Sequence, residues 1–397
     1  MAAGWATASA SVSGERGEWR CRTGAPKISS RSTSRKRKSI ISIDESLAAA
    51  YDYTLPHELI AQSPAPVRDA SRLLVVDGSQ LEHREFHELP KLLREDDLLV
   101  LNETRVIPAR IFGRYAGGSA RVELLLLHPA RSLAYEANAR RWIALTKPAR
   151  RLRTGTRILF ENFGEALVTG ELAEGVREVE FDLRVPFEQF LADAGEMPLP
   201  PYIRARSAQA QGRYQSVFAR VPGSVAAPTA SLHFTPELLV SLASRGIEIV
   251  RVTLNVGLGT FRPVTAERID DHAMHAEAYT LGTEAAEAIV RAKRAARRVV
   301  AVGTTVVRAL EGNAASFGHL TPGEHATELF IRPGFNFRIV DAMITNFHLP
   351  RSTLLMLVSA FAGRANVLRA YAQAVDDRYR FYSFGDAMLV TRQRCDT

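Results

Sequence analysis

The run R-P-G-F-N-F-R-I-V-D-A-M-I-T-N-F-H-L-P-R-S-T-L-L-M-L-V-S-A-F, Arg332 to Phe361, decides the reading of this chain. From Phe337 to Thr345 it mixes β-branched and apolar residues over the length of a strand, entered through the turn signal Pro333-Gly334. The pattern breaks at Asn346-Phe347-His348-Leu349-Pro350, and Ser352 stands where a helix cap belongs. The helix expected over Thr353 to Ala362 is apolar nearly all round, so it should be buried. Strand, polar turn and buried helix put Asn346, Phe347 and His348 beyond the carboxyl end of a strand, where open α/β sheets bind ligands. An Asn and a His that only stabilise a tight turn would give the same pattern.

Outward from that unit the texture repeats. Buried strands are predicted over Arg72 to Val76 and Asp97 to Leu101, the second running into Asn102-Glu103-Thr104-Arg105. Thr235-Pro236-Glu237 opens a helix with a cap, a first-turn Pro and an acid at the positive dipole end. It leads to a strand over Ile247 to Leu254. A helix over Thr283 to Arg298 feeds the strand Val299 to Val302, then Gly303-Thr304-Thr305 and a helix through Arg308. Between Ala109 and Asp182, short alternating strands separated by Gly, Pro and charged turns replace this order, which predicts a small antiparallel barrel. The fold class expected is α/β: a larger α/β domain with a mixed sheet (44–108 and 183–397) and an inserted small antiparallel β-barrel domain (109–182).

Composition is that of a globular protein, 46% hydrophobic and 24% charged, with no apolar run long enough to span a membrane. Only Cys21 and Cys395 are present, which argues against a disulfide framework or thiolate metal site and for a reducing, cytoplasmic home. The net charge of +8 mostly describes residues 1–43, where nine Lys or Arg face two Glu. That Ser- and Arg-rich segment reads as a disordered basic tail: a targeting peptide, an RNA-binding arm, or the product of a start codon placed too far upstream. Within the barrel region, Arg140, Arg141, Lys147, Arg150, Arg151, Arg153 and Arg157 form either a phosphate-binding face or a solvated one.

Further motifs carry chemistry. Met197-Pro198-Leu199-Pro200-Pro201-Tyr202-Ile203 is a rigid segment ending in an aromatic, followed by Tyr214-Gln215 among arginines; stacking on an unpaired base and simple packing both suit it. Small residues dominate Gly223 to Phe234, including Thr229, Ser231 and His233, and small side chains let a ligand approach the backbone. Asp271-His272-Ala273-Met274-His275-Ala276-Glu277 lacks the spacing of a helical zinc site; proton transfer or the ordering of a loop fits it better.

Taken together, I-T-N-F-H-L-P-x-S-T-L, the segment Asn102 to Arg110, M-P-L-P-P-Y-I, V-T-L-N-V-G-L-G-T-F and Tyr379 to Met388 resemble the S-adenosylmethionine:tRNA ribosyltransferase-isomerases of queuosine biosynthesis, from about Tyr51 to Val390. The resemblance implies transfer and isomerisation of the ribosyl part of S-adenosyl-L-methionine onto 7-aminomethyl-7-deazaguanine at the wobble position of a tRNA. Adenine and methionine are released and an epoxide-bearing cyclopentane, epoxyqueuosine, remains. It implies S-adenosyl-L-methionine as cosubstrate, no metal, no membrane, and a monomer. The sulfonium acidifies the adjacent carbon, so a base, an acid for adenine and a seat for the methionine carboxylate are needed. His233, His272, His275 and His348 are the proton-transfer candidates, with Asp271 and Glu277 to orient them. Arg105 or Arg308 would hold the carboxylate, and Phe335 or Phe347 would face the sulfonium. Asn102, Thr104, Tyr202, Tyr214, Gln215, Thr229, Ser231, Asn255, Gly257, Gly259, Thr260, Gly303, Thr304, Thr305 and Asn346 complete the implied substrate site.

The chain departs from the family pattern at Glu196, Ser231 and Asn255, where His, Gly and His are expected. Asn255 can donate and accept hydrogen bonds but cannot take a proton near neutrality. Two rivals follow: a catalytically impaired RNA-binding relative, and an S-adenosylmethionine-dependent RNA methyltransferase. The absence of a glycine-rich first βα turn counts against the second.

Overall fold

The computed structural model describes residues 44–172, 175–204, 207–257 and 264–393. The expectations for the tail 1–43, and for Gly259 and Thr260, lie outside the described residues. Nine strands form a large mixed sheet. Four parallel strands make its centre, in the order Glu248–Leu254, Leu98–Asn102, Val299–Val302, Ala342–Asn346. Ala387–Thr391 then pairs antiparallel with Ala342–Asn346 and parallel with Arg72–Asp77.

Apolar alternation within these strands sorts side chains onto two faces. Leu98, Val100, Val299, Ala301 and Met343 join the core beneath the helices Thr283–Arg294, Thr304–Phe317, Thr353–Ala362 and Arg364–Asp376. Leu99, Leu101, Val300, Val302 and Ile344 pack on the other face, against Phe234 and the helix Pro236–Ser244. Burial on both faces explains why these strands read as unbroken apolar runs.

Ser352 caps the helix Thr353–Ala362, its hydroxyl accepting from the Leu355 N–H at 3.2 Å, and Thr235 caps Pro236–Ser244 in the same way. The strand expected to begin at Phe337 begins only at Ala342. The cause is Glu311, whose carboxylate accepts from the N–H groups of Arg338, Ile339 and Val340, each at 2.9 Å. Those donors are therefore withheld from the ladder.

Six antiparallel strands between Arg110 and Leu183 close into a barrel through the pairing of Arg110–Tyr115 with Arg157–Phe160. Its aliphatic core holds an aromatic cluster. Phe187 and Phe190, from the helix Phe187–Ala194, pack on Trp142, Phe160 and Phe181, with the Phe187 and Trp142 rings stacked at 5.1 Å. Among the described residues no helix is long and apolar enough to cross a membrane.

Candidate active site

A cavity of about 940 Å³ opens beyond the carboxyl ends of Glu248–Leu254 and Val299–Val302. The sheet side supplies Asn255, Gly257, Glu277 and Arg308; the segment before Glu277 supplies Asp271, His272 and His275. The barrel closes it with Leu127, His128, Leu145 and Val176. Cavities of this size suit a nucleoside-sized ligand and more.

Each side chain is there for a local reason. Asn255 follows directly on a central strand, and its Oδ1 accepts from the Thr104 hydroxyl at 2.9 Å. Glu277 starts the strand Glu277–Leu281 and forms a buried ion pair with Arg308, in the helix Thr304–Phe317. The Glu277 carboxylate also accepts from the Gly257 N–H at 3.3 Å, and Arg308 Nε donates to the Leu329 carbonyl at 3.3 Å. Nη2 of Arg308 is buried with no partner. A buried donor left unmade costs about 1–3 kcal/mol, so this nitrogen is suited to a ligand carboxylate.

His272 sits edge-on to Phe330 at 5.7 Å. Burial, and then the neighbouring His275, push its imidazole below the usual histidine range, which keeps it a neutral base near pH 7. His128 is a site residue that the sequence reading misses. It follows a run of four leucines at a register shift in its strand, and a His at a bulge is the one signal it gives. Its Nδ1–H donates to the Pro129 carbonyl at 2.8 Å, which leaves Nε2 as an acceptor.

The remaining candidates are placed elsewhere. At the end of Ala342–Asn346, the Asn346 amide donates to His233 Nε2 at 3.2 Å and to the Tyr382 carbonyl at 3.1 Å. His233 Nδ1 then donates to the Ser71 hydroxyl at 2.7 Å. His348 Nε2 lies 2.9 Å from the Thr345 hydroxyl, its N–H donates to the Tyr371 oxygen, and its carbonyl accepts from Tyr53. Burial holds both imidazoles at about 3, with the charges of Arg68 and Arg380 adding to the effect at His233. Both are neutral, buried and away from the cavity.

Phe347 is fully buried among Tyr371, Tyr379 and Phe381, and Phe335 packs on Phe337. Neither lines the cavity. Arg105 is exposed and also outside it. Asn102 is occupied in bonding both backbone groups of Leu254, the N–H of Thr104 and the Thr305 hydroxyl. Gln215 pairs with the N–H and carbonyl of Val106 at 3.0 and 3.1 Å. Tyr202 packs on Tyr382 at 4.1 Å and Tyr214 edge-on to Phe384, while Thr229 and Ser231 belong to the turn Thr229–His233. Gly303, at φ 91°, lets the chain turn from strand into the helix that carries Thr304, Thr305 and Arg308. Of the basic barrel residues, Arg141, Arg153 and Arg157 are ion-paired with Glu180, Glu171 and Glu165.

Residues 48–390 match the family described as "Queuosine biosynthesis protein". A protein of Moorella thermoacetica named S-adenosylmethionine:tRNA ribosyltransferase-isomerase is 53% identical over 345 residues, 86% of this chain and 98% of that protein. One of Gloeobacter violaceus with the same name is 53% identical over 345 residues, covering 87% of this chain and 96% of its own length. A crystal structure described as the S-adenosylmethionine tRNA ribosyltransferase of Thermotoga maritima is 37% identical, covers 86% of this chain and 99% of that one, and has a TM-score of 0.48.

Proposed function

Because this chain belongs to the family of queuosine biosynthesis proteins, we propose that it is an S-adenosylmethionine:tRNA ribosyltransferase-isomerase whose reaction occupies the cavity between sheet and barrel. The substrate base would be 7-aminomethyl-7-deazaguanine at the tRNA wobble position, and the products epoxyqueuosine-tRNA, adenine and methionine. A tRNA substrate implies a cytoplasmic location. The observation that carries the reading is the convergence of His272, His275, Glu277 and Arg308 on one cavity, with a buried Arg308 nitrogen left unsatisfied.

Roles follow from environment. Arg308, held by Glu277, takes the methionine carboxylate in a charge-assisted hydrogen bond. His272, kept neutral by burial, accepts the proton from the carbon beside the sulfonium. His275 delivers a proton to the departing adenine, and Asp271 orients the pair. Asn255, tethered to Thr104, contacts substrate through hydrogen bonds only and takes no proton. The exposed Arg140, Lys147, Arg150 and Arg151 are the barrel cations left for RNA phosphates.

Incubation with ribose-labelled S-adenosylmethionine and tRNA carrying the deazaguanine tests this. The expected result is adenine and methionine in equal amounts, with the label in tRNA. Methyl label in tRNA would support the methyltransferase instead, and tRNA binding without either transfer would support the impaired relative.

A further inference from the structure

A second concave site lies on the same edge of the large sheet. It is a recess of about 20 Å³ bounded by Arg68, Ser71, Arg213, His233, Ser383 and Gly385, with Pro64 and Ala65 as its roof. That volume admits one or two oxygen-sized atoms and excludes a base or a ribose. His233 touches the end of Ala342–Asn346, which lies three strand positions from Glu248–Leu254. At about 4.8 Å per strand, the ends of those two strands are offset by roughly 14 Å along the sheet.

The polar inventory is one-sided. Arg68 and Arg213 line the recess, and among the described residues neither has a carboxylate partner. Arg68 donates to the carbonyls of Leu232 and Gln215 at 2.9 and 2.8 Å, and Arg213 Nη1 to that of Pro66 at 3.0 Å. Arg380 donates to the Ser63 carbonyl, so arginines fasten the roof segment on two sides. Two donors remain. The Ser383 hydroxyl, on a residue only 1% exposed, lies beside the Tyr202 and Tyr214 side chains but completes no well-formed hydrogen bond, and Arg213 Nε is buried without a partner. Burial first, and the Arg213 charge second, lower the Arg68 guanidinium to about 10.

We propose that this recess is an oxyanion subsite that seats one backbone phosphate of the RNA loop whose modified base enters the cavity, held by Arg213 Nε, the Ser383 hydroxyl and the charge of Arg68. The proposal rests on the tRNA reading above and deepens it. A phosphate oxygen fits the volume, satisfies both orphan donors and relieves the repulsion between the two arginines. Both sites lie at the carboxyl ends of the large sheet's strands, so base and phosphate can be engaged by one loop.

The test is tRNA binding by fluorescence anisotropy over a salt series, in the full chain, for wild type, Arg213→Gln and Ser383→Ala. Arg213→Gln should weaken binding about threefold to tenfold and reduce the salt slope by about 0.7, the value of one lost single-strand phosphate contact. Ser383→Ala removes a hydroxyl that also lies beside the Tyr202 and Tyr214 side chains, so it should weaken binding about threefold when measured per folded protein. S-adenosylmethionine affinity should stay constant in both. Inorganic phosphate should compete with tRNA more strongly than chloride at equal ionic strength, and lose that advantage in Arg213→Gln. Unchanged tRNA affinity in Ser383→Ala together with an unchanged slope in Arg213→Gln overturns the subsite. Phosphate binding to wild type with an unaltered tRNA slope in Arg213→Gln also overturns it, assigning the recess to free phosphate. Adenine release by wild type alongside either result leaves the enzymatic reading standing, whereas a wild type that binds no tRNA defeats both.

Discussion

Two sets of histidines lie along one sheet edge and differ in almost everything but residue type. His272 and His275 line an open cavity beside an ion pair, Glu277 and Arg308, whose guanidinium still has a nitrogen to give. His233 and His348 are buried, neutral, and hydrogen-bonded to Ser71, Asn346 and Thr345. Solvation makes the difference: a buried imidazole held at about 3 takes up no proton near neutrality, while a half-buried one remains a usable base. Position beyond a strand end is therefore not enough to make a histidine chemical.

The contrast breaks most severely at its ionic end. Arg308→Met removes the cation of a buried ion pair with Glu277, and up to about 3–5 kcal/mol of stability should be lost, read from the denaturation midpoint. Adding Glu277→Gln should recover most of that stability without restoring S-adenosylmethionine binding. Recovery of binding would show that Arg308 holds no substrate.

Next in size is His272→Ala, expected to lower turnover on the order of a hundredfold with little change in cosubstrate affinity or melting temperature. A variant that turns over normally and melts early would move His272 into the structural set.

For the buried set the expectation is reversed. His348→Ala should cost about 1–3 kcal/mol, because the Thr345 hydroxyl loses its partner in a dry site, while turnover per folded molecule is kept. The same burial has a pH signature. The unfolded imidazoles titrate near 6.5 and the folded ones at about 3, so between these values the unfolded state binds more protons. Stability from this source is fully present above about pH 6.5 and is lost as pH falls toward 3. Acid titration of the unfolding free energy should be shallower in His348→Ala than in wild type.

The smallest effect is a displacement of the rate profile. His272 is pushed down by burial first and by His275 second, so its neutral form, and with it the rate, should fall only below the usual histidine range. His275→Gln removes the second cause and should move the acid limb of the residual rate upward. An unmoved limb would mean that another group sets it.

Much of this is legible in the sequence, and the misreadings have physical causes. The helix Thr353–Ala362 is readable to the residue because Ser352 and a continuous apolar run mark it. The central strands and the barrel strands likewise announce themselves by period and punctuation. The strand before Asn346 reads too long because the distant Glu311 captures three N–H groups that local pattern assigns to the ladder. The segment Asp271 to Glu277 points to chemistry and lies on the cavity. His233, His348, Asn346 and Phe347 point there as strongly, and spacing carries no measure of burial to separate them. The barrel wall, with His128, Leu145 and Val176, is invisible as part of the site because alternating barrel residues look alike until the barrel is set against the sheet.

The claim that the open histidines do the chemistry and the buried ones only hold the fold is tested most directly by single-turnover transfer of ribose label from S-adenosylmethionine to deazaguanine-bearing tRNA. Wild type, His272→Ala and His348→Ala would be compared, each normalised to folded protein. The account predicts near wild-type transfer in His348→Ala and a loss on the order of a hundredfold in His272→Ala. Equal losses in the two variants, or the larger loss in His348→Ala, would contradict it.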